Sequence, residues 1–311
     1  MSPELAGTTL VTPDGHRIHV TRWQASGGAA PAAVVQVLHG LGEHLGRYER
    51  FANACCNGGF AVIGHNHRGH GPHAAAGELG HFADCDGWNK VVDDAIAVQR
   101  FAVRTWVDTP HVLLGHSMGS YIAQSVAARE TDRLAALVLS ASTLSPRLQL
   151  RSARVLARLA IRRHGGRHRS AFLNHLGLGN FNQRFAPNRT DFDWLSRVDA
   201  EVDRYIADPL CGFMLSNRFW HDLLGGLLDL SSPETLRRIP RALPILITGG
   251  EVDPVGGEKG MTQLAKAYER TGHVKVTVKM YPGGRHEMLN ETNREEFTRD
   301  LLQWIEGVVG R

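Results

Sequence analysis

The 311-residue sequence contains no apolar run near the roughly 20 residues that a membrane-crossing helix requires, which excludes a helical membrane span. Its opening, MSPELAGTTL, has neither the basic stretch nor the apolar segment of a secretory leader, so no export signal is expected. Cysteine is scarce. Cys55, Cys56, Cys85 and Cys211 show no CxxC spacing, and the adjacent Cys55 and Cys56, on a helical stretch, are poorly placed to pair. Buried reduced thiols, and with them a cytoplasmic location, are the expectation. Internal repeats and low-complexity tracts are missing too. Acidic residues are absent between Arg133 and Thr190, where Arg147, Arg151, Arg154, Arg158, Arg162, Arg163, Arg167 and Arg169 crowd together. The net charge of +4 is modest, but this local asymmetry can mark an anionic partner. What is present, 42% hydrophobic and 21% charged residues, describes an ordinary globular chain long enough for one large core, or for a core with an insertion.

The stretch GTTLVTPDGHRIHVTRWQA reads as a hairpin, with two β-rich runs flanking the turn residues Pro13-Asp14-Gly15. Strand candidates follow at 32–40, 60–66, 111–117, 134–142, 244–250 and 274–281. The first five are nearly continuous apolar runs, as strands buried on both faces should be. Helical patterns lie between and after them, near 48–57, 88–106, 118–130, 259–271 and 294–308. This alternation predicts an α/β fold with a mostly parallel sheet and helices on both sides. The interval between the strands at 134–142 and 244–250 is far too long for a loop and contains helical patterns but no strand. The expected organisation is a core formed by residues 1–144 and 241–311, with an inserted helical cap from 145 to 240 that covers a pocket at the carboxyl ends of the strands.

Within HVLLGHSMGSYIAQSVAARE, Ser117 stands between Gly115 and Gly119, with a strand before it and a helix after it. A G-x-S-x-G sequence alone is weak; in this context it predicts a tight corner that lifts the serine hydroxyl above the sheet, at the positive end of the helix. The alternative is a serine that merely caps the helix. A serine hydroxyl needs a base, and the base needs a carboxylate to hold it, in the chain order serine, acid, histidine. PILITGGEVDPVGG supplies Asp253 beyond one strand end, and VKVTVKMYPGGRHEMLNE supplies His286 beyond the next. Glu251 and Glu287 are rival acids. Asp253 is preferred because glycines precede it and Pro254 sets its exit. Acyl transfer also needs donors for an oxyanion. The backbone N–H groups of Met118 and of Leu41, in VVQVLHGLGEHLGRY, are the candidates.

HGLGEHLGRY, HRGHG, GHSMG, GGEVDPV and YPGGRHEMLNE, in this order across residues 39 to 291, together resemble the α/β-hydrolase superfamily. The nearest similarity is to its monoacylglycerol lipase and lysophospholipase branch, bacterial members included. The resemblance implies an eight-stranded core with a helical cap, no cofactor, and hydrolysis of single-chain acyl esters, monoacylglycerol first and lysophospholipid as the alternative. By motif match Ser117 corresponds to the nucleophile, Asp253 to the acid, His286 to the base, and Leu41 and Met118 to the oxyanion positions. The family commonly carries Asp before HRGHG and Ser shortly after it, where this sequence has Asn66 and His73. Haloalkane dehalogenases and epoxide hydrolases use aspartate where Ser117 stands; prolyl aminopeptidases keep the serine but differ in the HGLGEH loop. A non-catalytic ligand sensor on the same fold would have no use for all three triad residues.

Three further features carry paired readings. His65, His67, His70 and His73 could bind a transition metal, but no Cys or carboxylate completes a ligand set nearby, so a structural role is expected and no metal. Helix 148–163 places Arg151, Arg154, Arg158 and Arg162 on one arc and Leu148, Val155, Leu156, Leu159 and Ala160 on the next. It either packs that apolar arc on the core or docks on an anionic membrane surface. In ADPLCGFMLSNRFWHDLLGGLLDL, the residues Phe213, Met214, Phe219 and Trp220, with Leu215, Leu223 and Leu224, either line an acyl-chain tunnel or form cap core. The expected partner is a small acyl ester or lipid, with peripheral membrane contact through the arginine-rich cap and no nucleic acid.

Overall fold

Apolar runs that alternate with amphipathic stretches bury their surface most economically as strands covered by helices on both faces. The computed structural model, which describes residues 4–25, 30–131 and 133–310, has this architecture. The hairpin is β1 (Glu4–Val11) and β2 (Arg17–Gln24). It is followed by β3 (Val34–Leu38), α1 (Glu49–Asn57), β4 (Ala61–His65), α2 (Gly87–Thr105), β5 (His111–His116), α3 (Met118–Ala127) and β6 (Leu134–Ser140). After a long helical interval come β7 (Ile245–Gly250), α9 (Gly257–Arg270), β8 (Val276–Tyr281) and α10 (Arg294–Val309). Among the described residues, that interval holds no strand. It contains α4 (Arg147–His164), α5 (Ala171–Asn174), α6 (Asp199–Ala207), α7 (Asn217–Leu230) and α8 (Pro233–Leu236).

The eight strands lie in the order β1-β2-β4-β3-β5-β6-β7-β8, antiparallel from β1 to β4 and parallel beyond. Every residue of β3, β4 and β5 is buried, because alternate side chains enter opposite cores. Val112 and Leu114 pack with Phe51 of α1 and Phe297 of α10, whereas Leu113 packs with α2, α3 and α9. That second cluster continues into the interval through Leu215, Phe219 and Leu223. The parallel strands all point one way, so the loops after β3, β5, β7 and β8 gather at one edge of the sheet.

One alternative and one expectation fail here. Of the two readings of α4, packing of its apolar arc on the core is not observed: Leu148, Val155, Leu156 and Leu159 are 76%, 57%, 40% and 53% exposed. It packs on α7 through Leu150 and Ala157, flanked by half-buried Ala153, Arg154 and Ala160. The facing segment of α7 contains Gly225, against which the Arg154 guanidinium lies. Small residues let two helices approach closely, so the alanine side of α4 outcompetes its leucine side for the interface. The second failure is Cys85, which is exposed; Cys55, Cys56 and Cys211 are buried, and all four are unpaired.

The loop after β4 is tied down by Arg68, whose guanidinium bonds Asp94 of α2 at 2.7 and 2.9 Å and Asp14 of the hairpin turn at 2.7 and 2.9 Å. Burial pushes the Asp94 carboxyl upward against the pull of Arg68. Arg68→Met strands that buried carboxylate, and urea denaturation is expected to show a loss of about 3–5 kcal/mol. Adding Asp94→Asn should recover part of it. A loss below about 1 kcal/mol would mean that the pair does not hold this loop.

Candidate active site

The corner after β5 is forced by contact. A Cβ on Gly115 would strike the Gly119 carbonyl, and one on Gly119 would strike the Leu38 carbonyl. Only with both side chains absent can α3 begin so close to β3 and β5. Ser117 itself takes φ 51° and ψ −119°, a conformation that costs a non-glycine residue about 1–3 kcal/mol. Its N–H donates to the Ser140 carbonyl at 2.9 Å, continuing the sheet, and its hydroxyl makes no capping bond to α3. The serine is held on the corner without serving the helix.

His286 lies on the loop after β8 and Asp253 on the loop after β7, both buried. The imidazole Nδ1 is 2.9 Å from Asp253 Oδ1, which also accepts the Val255 N–H at 2.9 Å. Burial alone would lower the His286 pKa, but the Asp253 carboxylate outweighs it and the net direction is upward from 6.5. Burial likewise pushes Asp253 up, and the imidazole beside it brings it net down. The second ring, His116, lies tilted with its centroid 4.8 Å from that of His286 and moves the opposite way, to about 4, because burial and its neighbour both disfavour a charge there. One imidazole of the pair is therefore poised to take a proton while the other stays neutral. Ser117 and His286 line one cavity but are not hydrogen-bonded to each other; such contacts often tighten only when the reacting group is seated.

Of the rival acids, Glu251 is exposed and accepts the Gly283 N–H, away from the imidazole. Glu287 is engaged elsewhere. Arg47 donates to both of its oxygens at 2.6 Å and to Glu43 Oε2 at 2.8 Å. Glu43 Oε1 in turn accepts from the Gly40 N–H at 2.5 Å and the Tyr48 hydroxyl at 2.7 Å. The next N–H but one, on Gly42, donates to His70 Nε2 at 3.3 Å. Among the described residues, the Leu41 N–H between them has no acceptor, nor has that of Met118 at the first position of α3. Both residues line the cavity with Ser117. The sequence reading missed Arg47, His116, Tyr205 and Trp194. Only the Glu43–Arg47 spacing, four residues on a helical turn, could have signalled any of them.

The histidine cluster serves the same loop. His39 Nδ1 donates to the Gly40 carbonyl at 2.8 Å while its Nε2 accepts the His67 N–H at 3.0 Å, and burial holds His39 and His67 well below 6.5. Burial brings His70 to about 4. Neutral rings are what these bonds require. His73 stacks on His19 instead, at 3.8 Å. Asn66 supplies an acceptor, through Oδ1, for the Leu45 N–H at 2.8 Å. His44, Asp208 and Cys211 bring three different donor atoms together, but none of them lines the cavity.

The cavity has a volume of about 790 Å³. Its walls are mostly apolar and include Phe213, Met214, Trp220, Leu223 and Leu224 from the interval, with Leu150, Leu156, Leu173 and Leu178. Phe219, expected with them, does not line it. Successive helical residues point about 100° apart, and Phe219 faces inward, 4.1 Å from the Phe82 ring, while Trp220 faces the cavity. Leu215 is buried with Phe219. Trp194 flanks the imidazole of His286 at 4.8 Å, and its carbonyl accepts the His286 N–H at 3.3 Å.

A family profile described as serine aminopeptidase, S33, matches residues 29–293. The monoglyceride lipase of Mus musculus is 31% identical over 303 residues, covering 96% of this chain and 89% of that protein. The monoacylglycerol lipase of Mycolicibacterium smegmatis is 27% identical and covers 88% of each chain. A thermostable carboxyl esterase from Bacillus coagulans, solved in complex with glycerol, superposes with a TM-score of 0.90 at 25% identity over 99% of both chains.

Because Asp253 outweighs burial and raises the affinity of His286 for a proton, the imidazole is mostly protonated below a midpoint that lies above 6.5 and becomes neutral as pH rises through it. The rate at which a fluorophosphonate labels Ser117 should follow that ionisation. Asp253→Asn should slow labelling by about 10³–10⁴-fold. A flat rate from pH 5 to 9 would separate the serine from this base.

Proposed function

The chain belongs to the serine aminopeptidase S33 family of α/β-hydrolases, and on that premise we propose that it is a serine carboxylic-ester hydrolase acting on monoacylglycerols. The observation that carries this reading is a large, mostly apolar cavity lined by Ser117, His286, Leu41 and Met118 together. An acyl chain fits the leucine-lined walls, and its ester carbonyl meets the polar floor. Residues 145–240 act as the cap that encloses the chain.

His286 Nε2 takes the Ser117 proton as the oxygen attacks the carbonyl carbon. Asp253 holds the imidazole through Nδ1 and stabilises its positive form. The oxyanion is received by the Leu41 and Met118 N–H groups, each worth about 3 kcal/mol of barrier lowering. The alcohol leaves with the proton from His286, and water repeats the sequence to release the fatty acid. A peptide substrate is disfavoured at this site because the lining glutamates Glu43 and Glu287 are already paired with Arg47. They have little to offer a free terminal ammonium.

Purified protein and Ser117→Ala should be compared on p-nitrophenyl esters, monoacylglycerols and lysophospholipids. Monoacylglycerols should turn over with the highest kcat/KM, and the variant should lose about 10⁴-fold or more on every ester. Faster lysophospholipid turnover would reassign the head group. No ester turnover, with clean cleavage of an aminoacyl amide, would overturn the class.

The exposed side of α4 supports a peripheral lipid contact within the same reading. Leu148, Val155 and Leu159 run along its centre, with exposed Arg151, Arg158, Arg162 and Arg163 beside them, and none of these arginines has an acidic partner among the described residues. No described helix is long and apolar enough to cross a membrane. Such a face lies on a bilayer, its arginines over anionic head groups. In flotation, vesicles containing phosphatidylserine should carry the protein at low salt and release it at high salt. Leu148→Ser with Leu159→Ser should weaken recovery. Equal recovery with neutral vesicles would leave a solvated helix.

A further inference from the structure

Behind the loop that carries Leu41, three side chains of different chemistry converge. The donor atoms of His44, Asp208 and Cys211 all lie within 4.8 Å of one another. His44 Nε2 is 2.8 Å from Asp208 Oδ2, and Asp208 Oδ1 accepts the Leu210 N–H at 2.8 Å. The Cys211 N–H donates to the Asp208 carbonyl at 3.0 Å, a turn that sets carboxylate and thiol on one side. Cys211 is buried, while His44 and Asp208 are partly open, so the cluster has an entry side. Glu43 and Glu287 nearby are paired with Arg47, so the carboxylate of Asp208 is the negative charge that faces the thiol and imidazole.

We infer that His44, Asp208 and Cys211 bind a zinc ion, with water completing a four-coordinate shell. Imidazole, carboxylate and thiolate are the ligand types that zinc accepts, at about 2.0–2.3 Å, which separates ligand atoms by about 3.3–3.6 Å in a tetrahedron. The His44–Asp208 pair needs to part by roughly half an ångström, and a thiol within 4.8 Å is already close. Binding replaces the thiol S–H bond with a sulfur–metal bond and releases that proton to solvent. It also moves the His44 ring proton to Nδ1, giving up the 3.2 Å contact from the Gly46 N–H. None of the three ligands takes part in the proposed ester chemistry, so the site is independent of that reading.

Its position gives it a consequence. His44 directly follows the Leu41–Glu43 segment, and Cys211 precedes Gly212, whose N–H donates to the Gly42 carbonyl at 2.9 Å. Tyr205 donates its hydroxyl to the same carbonyl at 2.9 Å. An ion there adds a coordinate link between the oxyanion loop and the 205–212 segment, parallel to these hydrogen bonds.

The test uses the full chain carrying Cys85→Ser, which removes the exposed competing thiol, titrated with cobalt(II) as a spectroscopic stand-in. One equivalent should produce a near-ultraviolet thiolate charge-transfer band and intense visible bands of tetrahedral cobalt, both abolished by zinc. Cys211→Ser should eliminate the charge-transfer band, and His44→Ala should weaken binding by about 100-fold or more, with circular dichroism confirming the fold. Asp208→Asn, which keeps the shape and an acceptor, should weaken binding without loss of structure. Saturating zinc should raise the thermal midpoint of the Cys85→Ser protein by several degrees and leave Cys211→Ser unmoved. Absence of the bands at millimolar cobalt, or their survival in Cys211→Ser, would overturn the assignment.

Discussion

Arg47 lies where two loops of the cavity floor meet, between Glu43 beside Leu41 and Gly42 and Glu287 beside the imidazole of His286. Taking a guanidinium and two carboxylates out of water is expensive, and the arrangement persists because each charge is met at 2.6–2.8 Å. Burial would lower the Arg47 pKa, yet the two glutamates carry it upward; burial would raise Glu43, yet Arg47 brings it down. Both directions say that the charged forms are the stable ones. The loop after β3 and the loop after β8 are thereby held in register from beneath, although some 240 residues of chain separate them. Tyr205, whose ring lies 4.9 Å from the guanidinium, brings the helical interval into the same assembly.

Around that anchor the hydrogen bonds divide into those that hold and those left open. Gly40 N–H is taken by Glu43, Gly42 N–H by His70, and the histidines around them remain neutral through burial. The Leu41 N–H is what remains between them. Preorganised donors of this kind stabilise developing charge without having to reorient, which is why a rigid surround matters more than any one contact. The Ser117 backbone follows the same logic: its strained φ is sustained by two glycines and a sheet bond rather than by anything the hydroxyl gains.

Much of this is legible in the sequence, and the reasons are particular. The buried strands announce themselves because both of their faces are apolar. The corner at Ser117 is readable because the two flanking glycines answer to backbone carbonyls on neighbouring elements. Asp253 can be told from Glu251 by its place in the loop, and the geometry shows why: Glu251 turns out to solvent while Asp253 is buried against the imidazole. The helical interval is less readable. On α7 apolar residues occupy most directions, so periodicity cannot separate Phe219, which enters the core, from Trp220, which faces the cavity. On α4 the side rich in leucine looks like the buried side by composition, but the close approach to α7 selects the alanines. Arg47 is barely readable: its spacing from Glu43 hints at one pair, but Glu287 lies on a loop that only the fold brings near.

The two long helices over the cavity are anchored very unequally. Helix α7 sends Phe219, Leu223 and Leu230 into the same cluster as β5 and β6, whereas α4 commits little beyond Leu150 and Ala157. Exchanging a residue on the outer face of α4 removes almost no buried surface, so the fold exacts almost no penalty for it. Substitutions along that outer face therefore leave the fold almost untouched, whereas changes to the inner face of α7 disturb the packing beneath the cavity.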